Sequence, residues 1–84
     1  MDYVSKIDEI LKECFEPELL DVIDESELHR GHNGFQEGRQ THFKIVISAR
    51  PFENMSRVSK ERAIHKALGA NIMRNIHALS VKFQ

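Results

Sequence analysis

Eighty-four residues and 9.8 kDa make room for a single small domain, residues 1–84, whose thin core argues against a deep, self-contained active site. With 40% hydrophobic and 30% charged residues the composition is that of an ordinary soluble globular chain, and no apolar run approaches the roughly 20 residues of a membrane span. The net charge of −1 conceals a split: residues 1–41 hold eleven acids against four bases, and residues 42–84 hold eight bases against two acids. Such polarity either steers a partner or is neutralised when the two halves pack.

The start, Met1 to Lys6, has neither the basic and apolar regions of a signal peptide nor the Arg-rich character of a transit peptide. Val4, Ile7, Leu11, Cys14 and Phe15 then recur at spacings of three and four, one apolar stripe of a helix that Asp2 or Ser5 can cap. Pro17 disfavours helical geometry at Glu16 and should end it. Cys14, the lone cysteine, is expected to be buried on that stripe; it excludes an internal disulfide framework and a four-thiolate metal site, and it suits a reducing, cytoplasmic setting. Leu19 to Ile23 reads as a strand. Asp24 to Gln40 is polar, broken by Gly31, Gly34 and Gly38, and long for a connector in so small a domain. Thr41 to Ser48 alternates, with Phe43, Ile45 and Ile47 facing a core and His42, Lys44, Val46 and Ser48 facing away.

After a turn at Pro51 to Asn54, Ser56 or Ser59 can cap a helix running to Leu68, with Ile64, Ala67 and Leu68 inward, Val58 and Ala63 nearby, and Gly69 as its C-terminal cap. Ala70 to Ile76 predicts a shorter second helix. His77, Leu79, Val81 and Phe83 are in phase on a last strand. The order is α-β-β-α-α-β. The first two strands should be antiparallel, and the helical crossover should return the third parallel to the second. The fold class is therefore α+β, a three-stranded mixed sheet with helices on one face.

Five histidines are many for this length. His65 reads as a helix-surface residue and His42 as an exposed strand residue. His29 and His32, three apart in the glycine-containing loop, could reach a metal, although turn-rich polar loops often hold histidine. His77 stands at a helix-to-strand junction, where the C-terminal dipole alone would favour an imidazolium. A loop of this length could bring His32 or His29 towards it, at roughly 3.3 Å of reach per residue. Two imidazoles still leave most coordination positions of a metal to another molecule. No nucleophile with its base, phosphate-binding loop or carboxylate pair stands out, so the chain is read as non-enzymatic. Gly31 to Gly34 spells the GxxG of KH domains, but between strands rather than helices, and Asn54 to Ser56 matches a glycosylation acceptor with no sign of secretion. Arg57, Lys60, Arg62 and Lys66 cluster on the long helix and could meet phosphate non-specifically, or could simply be its solvated face.

Asp24-Glu25-Ser26, His29, Gly31-His32, Thr41-His42-Phe43-Lys44, Val46-Ile47-Ser48, Phe52-Glu53, Arg62-Ala63-Ile64 and Ile76-His77-Ala78-Leu79-Ser80 together resemble the BolA family, in order and spacing, over almost the whole chain. The resemblance implies a KH-like fold without a functional GxxG loop. It further implies pairing with a monothiol glutaredoxin to share a [2Fe–2S] cluster in iron–sulfur trafficking or iron sensing. His77 would be one ligand and His32 the second, with His29 as the alternative, while a glutaredoxin cysteine and a bound glutathione would supply the sulfurs. Imidazoles on one iron would raise the reduction potential and make it pH-sensitive. The isolated chain would then hold no cofactor and be a monomer or weak homodimer. Bacterial members are also described as DNA-binding regulators of transcription, morphology and stress response, which would use duplex DNA and the basic helix. The family's Arg-His-Arg triplet is Lys60-Glu61-Arg62 here, an acid within that surface, and Asn54 stands where a glycine is usual.

Overall fold

In the computed structural model, which describes residues 3–25, 42–76 and 78–84, the first helix α1 spans Tyr3–Phe15. Its stripe works as the spacing implies: Ile7 and Leu11 are fully buried, with Val4 and Phe15 packed beside them. Ser5 lies inside the helix and is not its cap, while Asp2 lies outside the described residues. The helix ends at Glu16, which takes a left-handed φ of 47° and donates its N–H to the Lys12 carbonyl at 3.0 Å. Cys14 departs from expectation. It is exposed, because in the last turn Phe15, not Cys14, swings onto Phe52, with ring centroids 4.9 Å apart.

Strand β1, Leu19–Asp24, pairs antiparallel with β2, His42–Ser48, and β2 pairs parallel with β3, Ala78–Phe83. The order β1-β2-β3 places β2 at the centre of a mixed sheet, as the α-β-β-α-α-β order requires. Phe43, Ile45 and Ile47 are at most 2% exposed and face the helices, with Leu20, Val22, Leu79, Val81 and Phe83 flanking them. The other face carries exposed Leu19 and Ile23 on β1, half-buried Lys44, Val46 and Ser48 on β2, and exposed Ser80 and Lys82 on β3.

A 3-10 turn, Arg50–Phe52, leads to Asn54, whose φ of 69° is the left-handed conformation asparagine tolerates better than most residues. Ser56 then caps α2, Arg57–Asn75, by accepting the Ser59 N–H at 3.1 Å. Gly69 divides α2 into two helical pieces with φ 85° and ψ 163°, so the two expected helices are there, joined across a kink rather than a loop. Ile64, Leu68 and Ile72 are buried. Ala63 and Ala67 pack beside them as expected, but Val58 does not: at 56% exposed it lies on the outer side, off the stripe of Ile64, Leu68 and Ile72. Phe52 joins the layers, meeting the Phe83 ring edge-on at 5.3 Å while also touching Phe15. No helix among the described residues is long and apolar enough to cross a membrane.

Candidate functional site

The register gathers several chain segments at one end of the sheet. Asp24, the last residue of β1, pairs with Phe43, and the Glu25 N–H bonds the His42 carbonyl at 2.8 Å. On the other side of β2, His42 pairs with Ala78. The two anchors of the β1–β2 connection, Glu25 and His42, therefore adjoin the residue that opens β3. Ile76 is buried and closes α2 by donating its N–H to the Ile72 carbonyl at 3.1 Å. It fixes where the chain leaves the helix for β3. His29, His32 and His77, the expected ligands, lie outside the described residues, as does the GxxG of residues 31–34.

His42 is a correction to the reading of the strand. Alternation puts it opposite Phe43, yet it is only 5% exposed. Alternation fixes the face of a side chain, not what covers that face. Lys44, Val46 and Ser48 on the same face are half-buried, so cover increases along β2 towards this end. His65, by contrast, is exposed on α2 as expected. Among the described residues, no three His, Cys, Asp or Glu side chains stand together so as to hold a metal ion.

The basic helix does not form one patch. At about 100° per residue, Arg62 and Lys66 lie about 40° apart and at least about 120° round the axis from Arg57 and Lys60. Arg57 turns towards β3, donating to the Val81 carbonyl at 3.4 Å and pairing with Glu61 at 3.6 Å. Lys60 is half-buried with its ammonium 5.4 Å from the Phe83 ring centroid, a cation–π position. Of the four, Arg62 and Lys66 are exposed on the outer face and have no such partners among the described residues. The sequence brought four cations together; the structure sorts them into two pairs with different surroundings.

At the opposite end of the sheet lies a feature the sequence does not announce, a hollow of about 160 Å³ bordered by Glu18, Ser48, Arg50, Glu53, Lys60 and Gln84. Its residues come from four places in the chain, the stretch 48–53 and the distant Glu18, Lys60 and Gln84, which only the fold brings together.

The family model for BolA-like proteins matches residues 11–84. A Sinorhizobium protein known only by its position in the cobS 5′ region is 39% identical over 83 residues, covering 98% of this chain and 89% of its own. The DNA-binding transcriptional regulator BolA of Vibrio cholerae is 31% identical over 75 residues, covering 89% of this chain and 67% of its own. Among solved structures, BolA1 from Arabidopsis thaliana superposes with a TM-score of 0.83 at 30% identity, over 100% of this chain and 92% of that one. With the mixed sheet, the divided helix and this agreement along nearly the whole length, the chain belongs to the BolA-like family.

Proposed function

We propose that this chain is a non-enzymatic partner of a monothiol glutaredoxin, with which it shares a [2Fe–2S] cluster in iron–sulfur trafficking or iron sensing. The observation that carries the reading is the convergence at one sheet end. The pairing of His42 with Ala78, and the Glu25–His42 hydrogen bond, set both anchors of the segment containing His29 and His32 near Ala78, the residue that follows His77. Two imidazoles from this chain are a chemically suitable half of a cluster's ligands, since imidazoles replace two thiolates on one iron in Rieske-type centres. His77 and His32 would hold that half, and the partner's cysteine and glutathione the sulfur half. A reducing cytoplasm, in which Cys14 remains a thiol, is the compartment that fits.

The test is co-purification with a monothiol glutaredoxin and glutathione, followed by visible-range absorption and circular dichroism. The wild-type complex should carry a cluster spectrum. His77→Ala and His32→Ala should abolish or reshape it, and His29→Ala should leave it unchanged. A His77→Ala complex with the wild-type spectrum would remove the ligand assignment, and a colourless wild-type complex would remove the reading.

A second reading has its own support in the name of the Vibrio cholerae relative, a DNA-binding transcriptional regulator. On this chain duplex DNA would meet the outward pair Arg62 and Lys66, rather than all four cations of the helix. The two readings are compatible if cluster occupancy alters access to that face.

A further inference from the structure

The hollow at the far end of the sheet has the make-up of a small-ligand site. Its floor is Phe52, 5% exposed and fixed between the Phe15 and Phe83 rings. Its rim holds two cations, Arg50 and Lys60, and two carboxylates, Glu18 and Glu53. These groups are poorly matched to one another. The Arg50–Glu18 pair is loose, Nε to carboxylate at 3.7 Å, with both side chains largely exposed. The Lys60 ammonium has no carboxylate within ion-pair range among the described residues and rests over the Phe83 ring. The Glu53 carboxylate, the Ser48 hydroxyl and the Gln84 amide make no side-chain hydrogen bond among the described residues.

A rim with two charges of each sign favours neither a bare anion nor a bare cation, because each would meet repulsion as well as attraction. It suits a molecule carrying both. The hollow of about 160 Å³ is partly open to solvent and has room for a small molecule such as an amino acid. We propose that this hollow binds a small α-amino-acid-type zwitterion, its carboxylate at Lys60 and Arg50 and its ammonium at Glu53, over the Phe52 floor. The six residue steps of β2, at about 3.3 Å each, separate it by about 20 Å from the histidine end. Its occupancy is therefore independent of the cluster reading, and either can fail alone.

The measurement is a ¹⁵N-amide NMR titration of the full chain at low ionic strength with L-serine, and in parallel with acetate and with methylammonium as single-charge probes. L-Serine should give saturable shifts confined to Glu18, residues 48–53, Lys60 and Gln84. Acetate and methylammonium should each bind at least about tenfold more weakly, as should L-serine to Lys60→Met and to Glu53→Gln. Lys12→Met, on α1, should bind like wild type. Unsaturable or absent shifts would overturn the proposal, and so would acetate binding equal to L-serine or undiminished binding to Lys60→Met. The same spectra report whether each variant is folded, and the single-charge probes on the wild-type chain decide the question even if a variant is not.

Discussion

Gly69 shows how one residue can set the shape of an element. Its φ of 85° with ψ of 163° falls in a region that essentially only glycine occupies, while a Cβ built there meets nothing within 4 Å. The demand is on the backbone alone, not on space. Gly69→Ala should therefore cost about 1–3 kcal/mol, seen as a fall in Tm of at least about 4 °C for a chain of this size. Glu16 presents the opposite case, a residue with a Cβ held at φ 47° before Pro17. Glu16→Gly relieves about 1 kcal/mol of left-handed strain and gives back part of it through greater unfolded-state freedom. A small net rise in Tm is expected, and a fall would show that the Glu16 side chain contributes something its geometry does not reveal. Both backbone turns were legible in the sequence, from Gly69 after an apolar stripe and from Pro17. The burial of His42 and the exposure of Cys14 were not. Periodicity assigns each side chain a direction, but exposure depends on where the neighbouring layer stops, and that is a property of the assembled fold.

At the scale of elements, the strands and helices were readable because each buries one face at its own period: two along β2, and three to four along α1 and α2. What periodicity could not resolve was the arrangement of the cations on α2. Arg57, Lys60, Arg62 and Lys66 are near in sequence, but the helix divides them, and the start of α2 lies against β3, where Val81 and Phe83 engage Arg57 and Lys60. The division makes the DNA reading specific. Duplex binding, if it occurs, should weaken with salt by about 0.9 logarithmic units per phosphate neutralised. The double variant Arg62→Ala/Lys66→Ala should lower that slope by about 2, and Arg57→Ala should leave it nearly unchanged. A salt titration of a promoter fragment by fluorescence anisotropy reads both. Equal loss of slope in the two variants would restore the single four-cation surface, and absence of binding at low salt would remove DNA from consideration. The cap is a separate matter of stability: Ser56→Ala forfeits the bond to the Ser59 N–H and should cost about 1 kcal/mol by chemical denaturation.

Across the whole molecule, the charge split of the sequence becomes a split in space. The sheet order places acidic β1, with Asp21 and Asp24 and the preceding Glu18, at one edge, and β3, with Lys82 and the neighbouring Arg57 and Lys60, at the other. Packing does little to cancel it among the described residues. Lys12–Asp8 at 2.9 Å lies within the acidic half and Arg57–Glu61 at 3.6 Å within the basic half, while Arg50–Glu18, which joins the halves, is long at 3.7 Å and well exposed. Exposed pairs of this kind contribute about 0–1 kcal/mol each, so the polarity outlives folding. Two such molecules attract edge to edge when ions are scarce, because the Debye length falls from about 30 Å at 0.01 M salt to about 8 Å at 0.15 M. The apo chain should accordingly show weak, concentration-dependent self-association in sedimentation velocity at 10 mM salt, and should run as a monomer at 300 mM. Lys82→Glu, which reverses one charge at the basic edge, should reduce the low-salt association. A sedimentation coefficient that ignores salt at every concentration would mean the two halves neutralise each other within one chain. In that case the split would be a matter of solvation alone, and any partner would have to be recognised by the histidine end or the polar hollow instead.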